Sequence, residues 1–240
     1  MSAVHKHVKE YYGQVLGSTK DLKTSACTSA QRPSAPIRAL LEQIPRPVLD
    51  KFYGCGTPLP SAGLEGLSVL DLGCGSGRDC YLASALVGNT GKVVGIDMTQ
   101  EQLDVANQHA GKYCQEVLHY SQSNMTFLLG YIEALEGLVP AESMDLIISN
   151  CVINLSPDKP SVLRGMYHAL KFGGEAYFSD VYCDRRLSDE ARAHQVLWGE
   201  CISGALYQQD FLRLAGEVGF LDCRMLDRTE IIVTTPSFCW

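Results

Sequence analysis

The most constraining feature of this sequence is a regular alternation of strand-like and helix-like segments through its middle part. Five short apolar segments predict strands, and helical patterns fit between them. The predicted strands are Ser68–Leu72, Lys92–Asp97, Met125–Leu129, Met144–Asn150 and Glu175–Val181. Helical connections let successive strands run parallel, and nearly continuous apolar segments indicate burial on both faces. The prediction is an α/β fold with a mainly parallel sheet and helices on both faces.

Three regions can be assigned around this sheet. Residues 1–60 are predicted to form an N-terminal arm with a short helix and a cysteine-containing loop, and residues 61–183 the ligand-binding sheet domain. Residues 184–240 are predicted to add a helical insertion and the closing strands of the same domain, at 223–225 and 229–233. The sequence stops soon after those strands, which indicates a truncated C-terminus.

Charge and hydropathy narrow the possible partners. The chain has 240 residues with 20 Lys and Arg against 27 Asp and Glu, a formal charge of -7. This balance gives no overall attraction to nucleic acid or anionic membranes. No apolar run reaches the roughly 18 residues of a membrane span, and no secretory signal is visible, so we expect a cytoplasmic monomer. His5 and His7 lie near the terminus, where we expect solvated side chains.

The first predicted strand ends in a glycine-rich turn. Gly73, Gly75 and Gly77 alternate with other residues where the strand gives way to a helix, which lets a ligand approach the backbone closely. A dinucleotide fingerprint would need a glycine where Arg78 stands, so a nicotinamide cofactor is disfavoured. The turn resembles the D-x-G-x-G-x-G loop of class I S-adenosylmethionine methyltransferases, whose sheet is Rossmann-like. Asp97, at the end of the second strand, stands where an acid would bind ribose hydroxyls.

Polar residues also stand at the ends of the next two predicted strands. Glu133 lies in the turn after the third strand, and Asn150 ends the fourth. A flavodoxin-like sheet with tight turns would explain the glycines but not this ordered set. The resemblance to methyltransferases implies that S-adenosylmethionine is held by the following residues. They are Tyr53, Asp71, Gly73, Cys74, Gly75, Asp97, Met98, Ile132, Glu133 and Asn150.

Ten cysteines are many for a chain with no C-x-x-C pair, and four of them stand at informative positions. Cys151 immediately follows the fourth predicted strand, at the mouth where a reacting methyl group would sit. Cys55 lies in a flexible loop before the sheet, Cys201 in the helical insertion and Cys27 in the arm. Taken singly, each is more simply interpreted as a packing cysteine.

Together, the segments around these cysteines resemble the arsenite methyltransferases. The similarity extends to about residue 230, and that family usually continues further at its C-terminus. The segments that carry it are Tyr11–Gly13, Asp21–Cys27, Phe52–Gly56, Asp71–Asp79, Gly95–Met98, Ser149–Leu155 and Trp198–Ala205.

This resemblance implies a methyl transfer to trivalent arsenic. Cys151 and Cys201 would bind arsenic with Cys55 as a third thiolate, and Cys27 would be a redox partner. A soft, thiophilic centre selects thiolates over imidazole or carboxylate, which agrees with this set. The substrate would be arsenite or its glutathione conjugate. We further expect a disulfide between Cys27 and Cys55 on turnover, reduced by thioredoxin or glutathione.

Two other functions stay open at this stage. The chain could be a C- or O-methyltransferase of a small metabolite, with incidental cysteines. It could also be a shortened, non-catalytic isoform that binds arsenic or cofactor without turnover.

Overall fold

A computed structural model describes residues 3–16, 33–60, 62–199 and 201–231 of the chain. Its centre is a five-stranded sheet in the order β3-β2-β1-β4-β5, in which every neighbouring pair is parallel. The strands are β1 Ser68–Leu72, β2 Lys92–Asp97, β3 Met125–Leu129, β4 Met144–Asn150 and β5 Leu170–Ser179. The predicted parallel α/β sheet is therefore confirmed, and the bounds of its first four strands agree with the prediction.

Nine α-helices occur in the described residues. They are α1 Ala3–Glu10, α2 Ala35–Leu41, α3 Arg46–Leu49, α4 Arg78–Val87, α5 Gln100–Lys112, α6 Lys159–Ala169, α7 Asp189–Arg192, α8 Gln195–Gly199 and α9 Gln208–Val218. A π-helical turn, Tyr11–Val15, continues α1. A small parallel pair, β6 Tyr182–Cys183 and β7 Leu206–Tyr207, joins the end of the sheet to the helical insertion.

Alternate residues of the strands supply two cores, one on each face of the sheet. Val69 of β1 packs with Tyr81 of α4 and Leu103 of α5, whereas Leu70 packs with helices α6 and α9 on the opposite face. Both strand residues are fully buried. Side chains of period two thus fix the sheet between two helical layers, and the carboxyl ends of the strands lie at one edge.

Two expectations about the sheet need correction. Strand β5 begins at Leu170, five residues earlier than predicted, because Leu170 pairs with Met144 before a register shift at the start of the main pairing. The closing strands predicted at 223–225 and 229–233 are absent from the described part, where residues 221–231 form no strand. Residues 221–230 are exposed, so these segments lack the side-chain packing that stabilises a strand. Residues 232 and 233 lie outside the described residues.

Among the described residues, no helix has the length and apolar character that a bilayer span requires.

Candidate active site

A pocket opens at the carboxyl ends of the strands, where the order of the sheet reverses between β1 and β4. Ligands of open α/β sheets bind at such a reversal. The ten residues that the sequence nominated for cofactor binding all line this pocket. They are Tyr53, Asp71, Gly73, Cys74, Gly75, Asp97, Met98, Ile132, Glu133 and Asn150.

The glycine loop forms the floor of the pocket. Gly73, Gly75 and Gly77 have φ values of +66°, +53° and +90°, in the left-handed region that glycine adopts without a Cβ clash. The N–H of Gly75 donates to Asp97 Oδ2 at 2.9 Å. A Cβ built on Gly75 would meet no atom within 4 Å, so this face of the loop is open to a ligand. The loop is shaped for a group that approaches the backbone closely.

Two buried acids stand beside this loop. The carboxyl of Asp71 is 2% exposed, and burial together with the nearby Asp79 raises its pKa well above its usual value. Cys80 Sγ donates to Asp71 Oδ2 at 3.2 Å. Burial also raises the pKa of Asp97, although N–H donation from Gly75 and Thr99 opposes the shift. The two N–H groups fix the orientation of the Asp97 carboxylate towards the pocket wall.

Asn150 holds the loop that carries Cys55 against the sheet. Its side-chain oxygen accepts from the Gly56 N–H at 3.1 Å, and its Nδ2 donates to Gly56 O at 2.9 Å and Asp79 Oδ2 at 2.7 Å. Arg78 pairs with Asp79 and donates to Gly56 O at 3.0 Å. A polar network therefore connects the glycine loop to the cysteine loop.

Three of the four nominated cysteines come together next to the pocket. Cys55 and Cys151 form a disulfide with Cα atoms 6.0 Å apart, and Cys151 lines the pocket. Cys201 Sγ donates to Cys151 O at 2.9 Å. Cys151 and Cys201 both have left-handed backbones, with φ values of 58° and 62°. Such strain in residues other than glycine clusters at functional sites, because it persists only where the surroundings impose it.

The observed disulfide differs from the one expected on turnover, which stays a prediction. The predicted pairing of Cys55 was with Cys27, whereas in the structure Cys55 pairs with Cys151, 96 residues away. Cys27 lies outside the described residues. Folding places the loop after α3 directly over the end of β4, a juxtaposition that no local pattern encodes. As bonded here, Cys55 and Cys151 would become thiolates only after reduction.

Sequence reasoning missed an acid and a lysine beside these cysteines. A carboxylate oxygen of Asp180 and the sulfurs of Cys151 and Cys201 lie within 4.8 Å of one another. Burial raises the pKa of Asp180 to about 6 and lowers that of Lys159 to about 8. Asp180 directly follows β5, but the predicted strand ran on to Val181, so the rule that singled out Asn150 at the end of β4 did not find Asp180.

The N-terminal helix covers the pocket, contrary to the solvated histidines that the sequence suggested. His5, Val8 and Tyr12 line it, and His5 Nε2 lies 3.0 Å from Glu133 Oε1. The His5 side chain is only 17% exposed. Tyr12 Oη donates to the carbonyl of Gly199, close to Cys201. His5 and Tyr12 therefore acquire these partners only through the tertiary fold.

Comparisons with known proteins agree with this geometry. Residues 64–219 match a family model described as a methyltransferase domain. An arsenite methyltransferase from Aquipseudomonas alcaligenes is 52% identical over 98% of this chain and 67% of its own length. The chain belongs to the arsenite methyltransferase family. Arsenite methyltransferases from Rattus norvegicus and Homo sapiens are each 47% identical over 96% of the chain.

A solved structure supports the same family. An arsenic(III) S-adenosylmethionine methyltransferase from Chlamydomonas reinhardtii is 56% identical, with a TM-score of 0.77 over 80% of this chain and 64% of its own. The chain spans 61% and 62% of the human and rat arsenite methyltransferases. It therefore aligns with somewhat less than two thirds of these mammalian family members.

Proposed function

We propose that this chain transfers the methyl group of S-adenosylmethionine to trivalent arsenic held by cysteine thiolates. The observation that carries the proposal is the meeting of Cys55, Cys151 and Cys201 beside the pocket at the strand ends. A methyltransferase of a carbon or oxygen acceptor has no use for three convergent sulfurs. A thiophilic acceptor does, because soft centres select thiolate ligands.

The residues of the pocket suit the proposed cofactor. The open face at Gly75 leaves room that a Cβ would fill, and the Asp97 carboxylate stands at the end of β2 to accept ribose hydroxyls. Met98 and Ile132 offer apolar surface for the adenine, beside Glu133. When bound, S-adenosylmethionine supplies an electrophilic methyl group on its sulfonium sulfur.

On the substrate side, the chain's contribution is positioning. Three thiolates leave trivalent arsenic with a free lone pair, so methyl transfer needs no general base. Apolar side chains, among them Val8, Met98 and Leu155, pack around Cys151 and Cys201 and exclude water. Holding both reactants in line converts a bimolecular step into an effectively unimolecular one.

The disulfide suggests how the thiols are used between turnovers. Methylation formally oxidises arsenic by two electrons, and two thiolates can return them by forming a disulfide. In this proposal the pair is Cys55 and Cys151, which replaces the pairing of Cys55 with Cys27. Glutathione or thioredoxin would then restore both thiols by thiol–disulfide exchange. Such reductants are cytosolic, and both arsenite and its glutathione conjugate deliver arsenic by exchange onto thiolates.

The first test is product formation by the purified chain. Protein, S-adenosylmethionine, arsenite and a thiol reductant are incubated, and arsenic species are separated and identified by mass spectrometry. We expect methylated arsenic from the wild type and almost none from Cys151→Ser, because a serine hydroxyl does not replace a thiolate as a ligand for arsenic. Cys183→Ser, which removes a half-buried thiol outside the pocket lining, is the matched control.

Binding of S-adenosylhomocysteine, measured in parallel, separates the alternatives. Cys151→Ser should bind it as the wild type does. Cofactor binding without methylated arsenic under any reductant would favour a non-catalytic binding protein. Arsenic methylation that survives in Cys151→Ser would show that the cysteines are incidental.

Thiol mapping tests the redox part of the proposal. After turnover without added reductant, alkylation followed by peptide mass spectrometry should find Cys55 linked to Cys151. Linkage of Cys55 to Cys27 would contradict this assignment and restore the pairing expected from the sequence. Thioredoxin and glutathione, added separately, should each be scored by the return of both alkylatable thiols.

A further inference from the structure

The carboxylate of Asp180 is built into the substrate side of the site. It accepts from the Asn154 backbone N–H at 3.0 Å, from Asn154 Nδ2 at 2.8 Å and from the Val181 N–H at 2.9 Å. These donors fix its orientation. One of its oxygens lies within 4.8 Å of the sulfurs of Cys151 and Cys201. An arsenic atom bound by both sulfurs would therefore sit next to a preoriented negative charge.

Charge moves during the proposed methyl transfer. The arsenic lone pair forms the new As–C bond, and the electrons of the broken C–S bond return to the sulfonium sulfur, which becomes a neutral thioether. Arsenic is formally oxidised by two electrons and the transferred methyl cation is reduced by two, and no proton moves. A neutral arsenic tris-thiolate thus becomes a cation, in surroundings where an uncompensated charge is costly.

The position of Asp180 makes its interaction stronger at the end of this step than at its start. Asp71, Asp97 and Glu133 line the pocket from which the positive charge departs, whereas Asp180 is not part of that lining and lies beside the cysteines that receive it. Only an interaction that strengthens towards the transition state raises the rate of the chemical step.

We propose, on the basis of the function proposed above, that Asp180 stabilises the positive charge that develops on arsenic during methyl transfer. Preoriented charges in a water-excluded site act in this way without reorganisation when the reaction occurs. Lys159 increases the need for a negative charge here. The positive charge of Lys159 interacts with Cys201 and Asp180 and opposes a cation at arsenic. Its Nζ is held by the carbonyl oxygens of Asn154 and Ser156 at 3.2 and 2.9 Å.

The test compares Asp180→Asn with the wild type in the full chain. The amide keeps an oxygen that can accept from Asn154 and Val181 but removes the charge. We expect kcat for arsenite methylation to fall by about 10²-fold, a typical loss for one preorganised electrostatic group. The dissociation constants of S-adenosylhomocysteine and of phenylarsine oxide, a trivalent arsenical probe, should change by less than about threefold. Asp184→Asn, at an exposed acid four residues away, is the matched control and should keep the wild-type rate.

Each outcome decides the assignment. An unchanged kcat in Asp180→Asn would overturn it. A loss of kcat matched by an equal loss of phenylarsine oxide binding would also overturn it, since Asp180 would then only position the cysteine segment. Asp180→Glu, which keeps the charge, should be faster than Asp180→Asn, and this order can be read even if both variants are less stable. A wild type without methylated arsenic would overturn the proposed function and this assignment with it.

Discussion

The cofactor side of the site, formed by the glycine loop, and the cysteine side, formed around Cys151 and Cys201, adopt the same left-handed backbone conformation with different residue types. On the cofactor side, positive φ angles occur at Gly73, Gly75 and Gly77, for which that conformation carries no Cβ penalty. On the cysteine side, positive φ angles occur at Cys151 and Cys201, which are 3% and 0% exposed. The same backbone geometry therefore has little conformational cost on the cofactor side and is strained on the cysteine side.

Chemistry explains the difference. The cofactor side needs backbone that a ligand can approach, so removing the side chain serves both conformation and function. Under the proposed function the cysteine side requires sulfur atoms at the same sharp turns, so glycine is excluded and packing must impose the conformation. It also holds a half-buried acid, Asp180, and a buried lysine, Lys159, with pKa values shifted to about 6 and about 8.

Gly73→Ala should have the largest effect on the stability of the cofactor side. An alanine Cβ would lie less than 3.0 Å from the side chain of Val152, at a φ of +66°. Overpacking of about 1–3 kcal/mol and a left-handed alanine at about 1 kcal/mol predict a total loss of about 2–4 kcal/mol. Urea unfolding measures it. Gly111→Ala, in a helix with no atom near the new Cβ, is the control and should gain about 1 kcal/mol. Equal stability of both variants would contradict the strict need for glycine in the loop.

Lys159→Met tests whether the cysteine side carries a buried charge. Burial lowers the Lys159 pKa from 10.5 to about 8, so the charged form is penalised only in the folded state. As pH rises from about 8 to 10.5, the unfolded chain holds more protons than the folded one, and wild-type stability increases. Relative to Lys159→Met, the increase should approach about 3 kcal/mol, the linkage for this shift. Urea unfolding at several pH values in this range measures the difference. Parallel stability curves for the two proteins would show that Lys159 is not perturbed.

Gly75→Ala tests whether the glycine loop binds the cofactor. Its Cβ meets no protein atom within 4 Å, so folding should lose only about 1 kcal/mol from the φ of +53°. The methyl group would instead protrude into ligand space. Calorimetric titration should show S-adenosylhomocysteine binding about 30-fold more weakly, equivalent to about 2 kcal/mol. Unchanged affinity would mean that the ligand does not approach this face. Gly137→Ala, which is equally uncrowded but outside the pocket lining, should leave binding intact.

The smallest effect concerns strain at Cys201. Cys201→Gly and Cys201→Ala both remove the sulfur, so the comparison between them isolates the backbone. At a φ of 62° the glycine variant should be more stable by about 1 kcal/mol, the reverse of the usual order. The same pair at Cys114, a buried position in a π-helical turn where φ is not positive, should favour alanine by a similar amount. Chemical denaturation of the four variants tests this. If alanine is the more stable choice at both positions, the backbone at Cys201 is not strained.

The sequence by itself determined the sheet and the outline of the cofactor side. Strand and helix periodicities fix which residues face a core, and the alternation makes the strands parallel, so the bounds of the first four strands followed from local patterns. The resemblance to methyltransferases then indicated the ten residues that line the pocket. The roles of those ten residues still await experiment. The start of β5 and the absent strands at 221–231 depended instead on which surfaces are available for pairing.

The family resemblance indicated the cysteines of the other side, but tertiary structure alone decided their contacts. The pairing of Cys55 with Cys151, the contact of His5 with Glu133 and the approach of Asp180 to Cys201 all join residues far apart in sequence. No periodicity encodes such contacts, because they arise only when separate loops are carried to the same edge of the sheet. The left-handed backbones at the cysteines have the same origin, since local preference disfavours that conformation and only the surrounding packing maintains it.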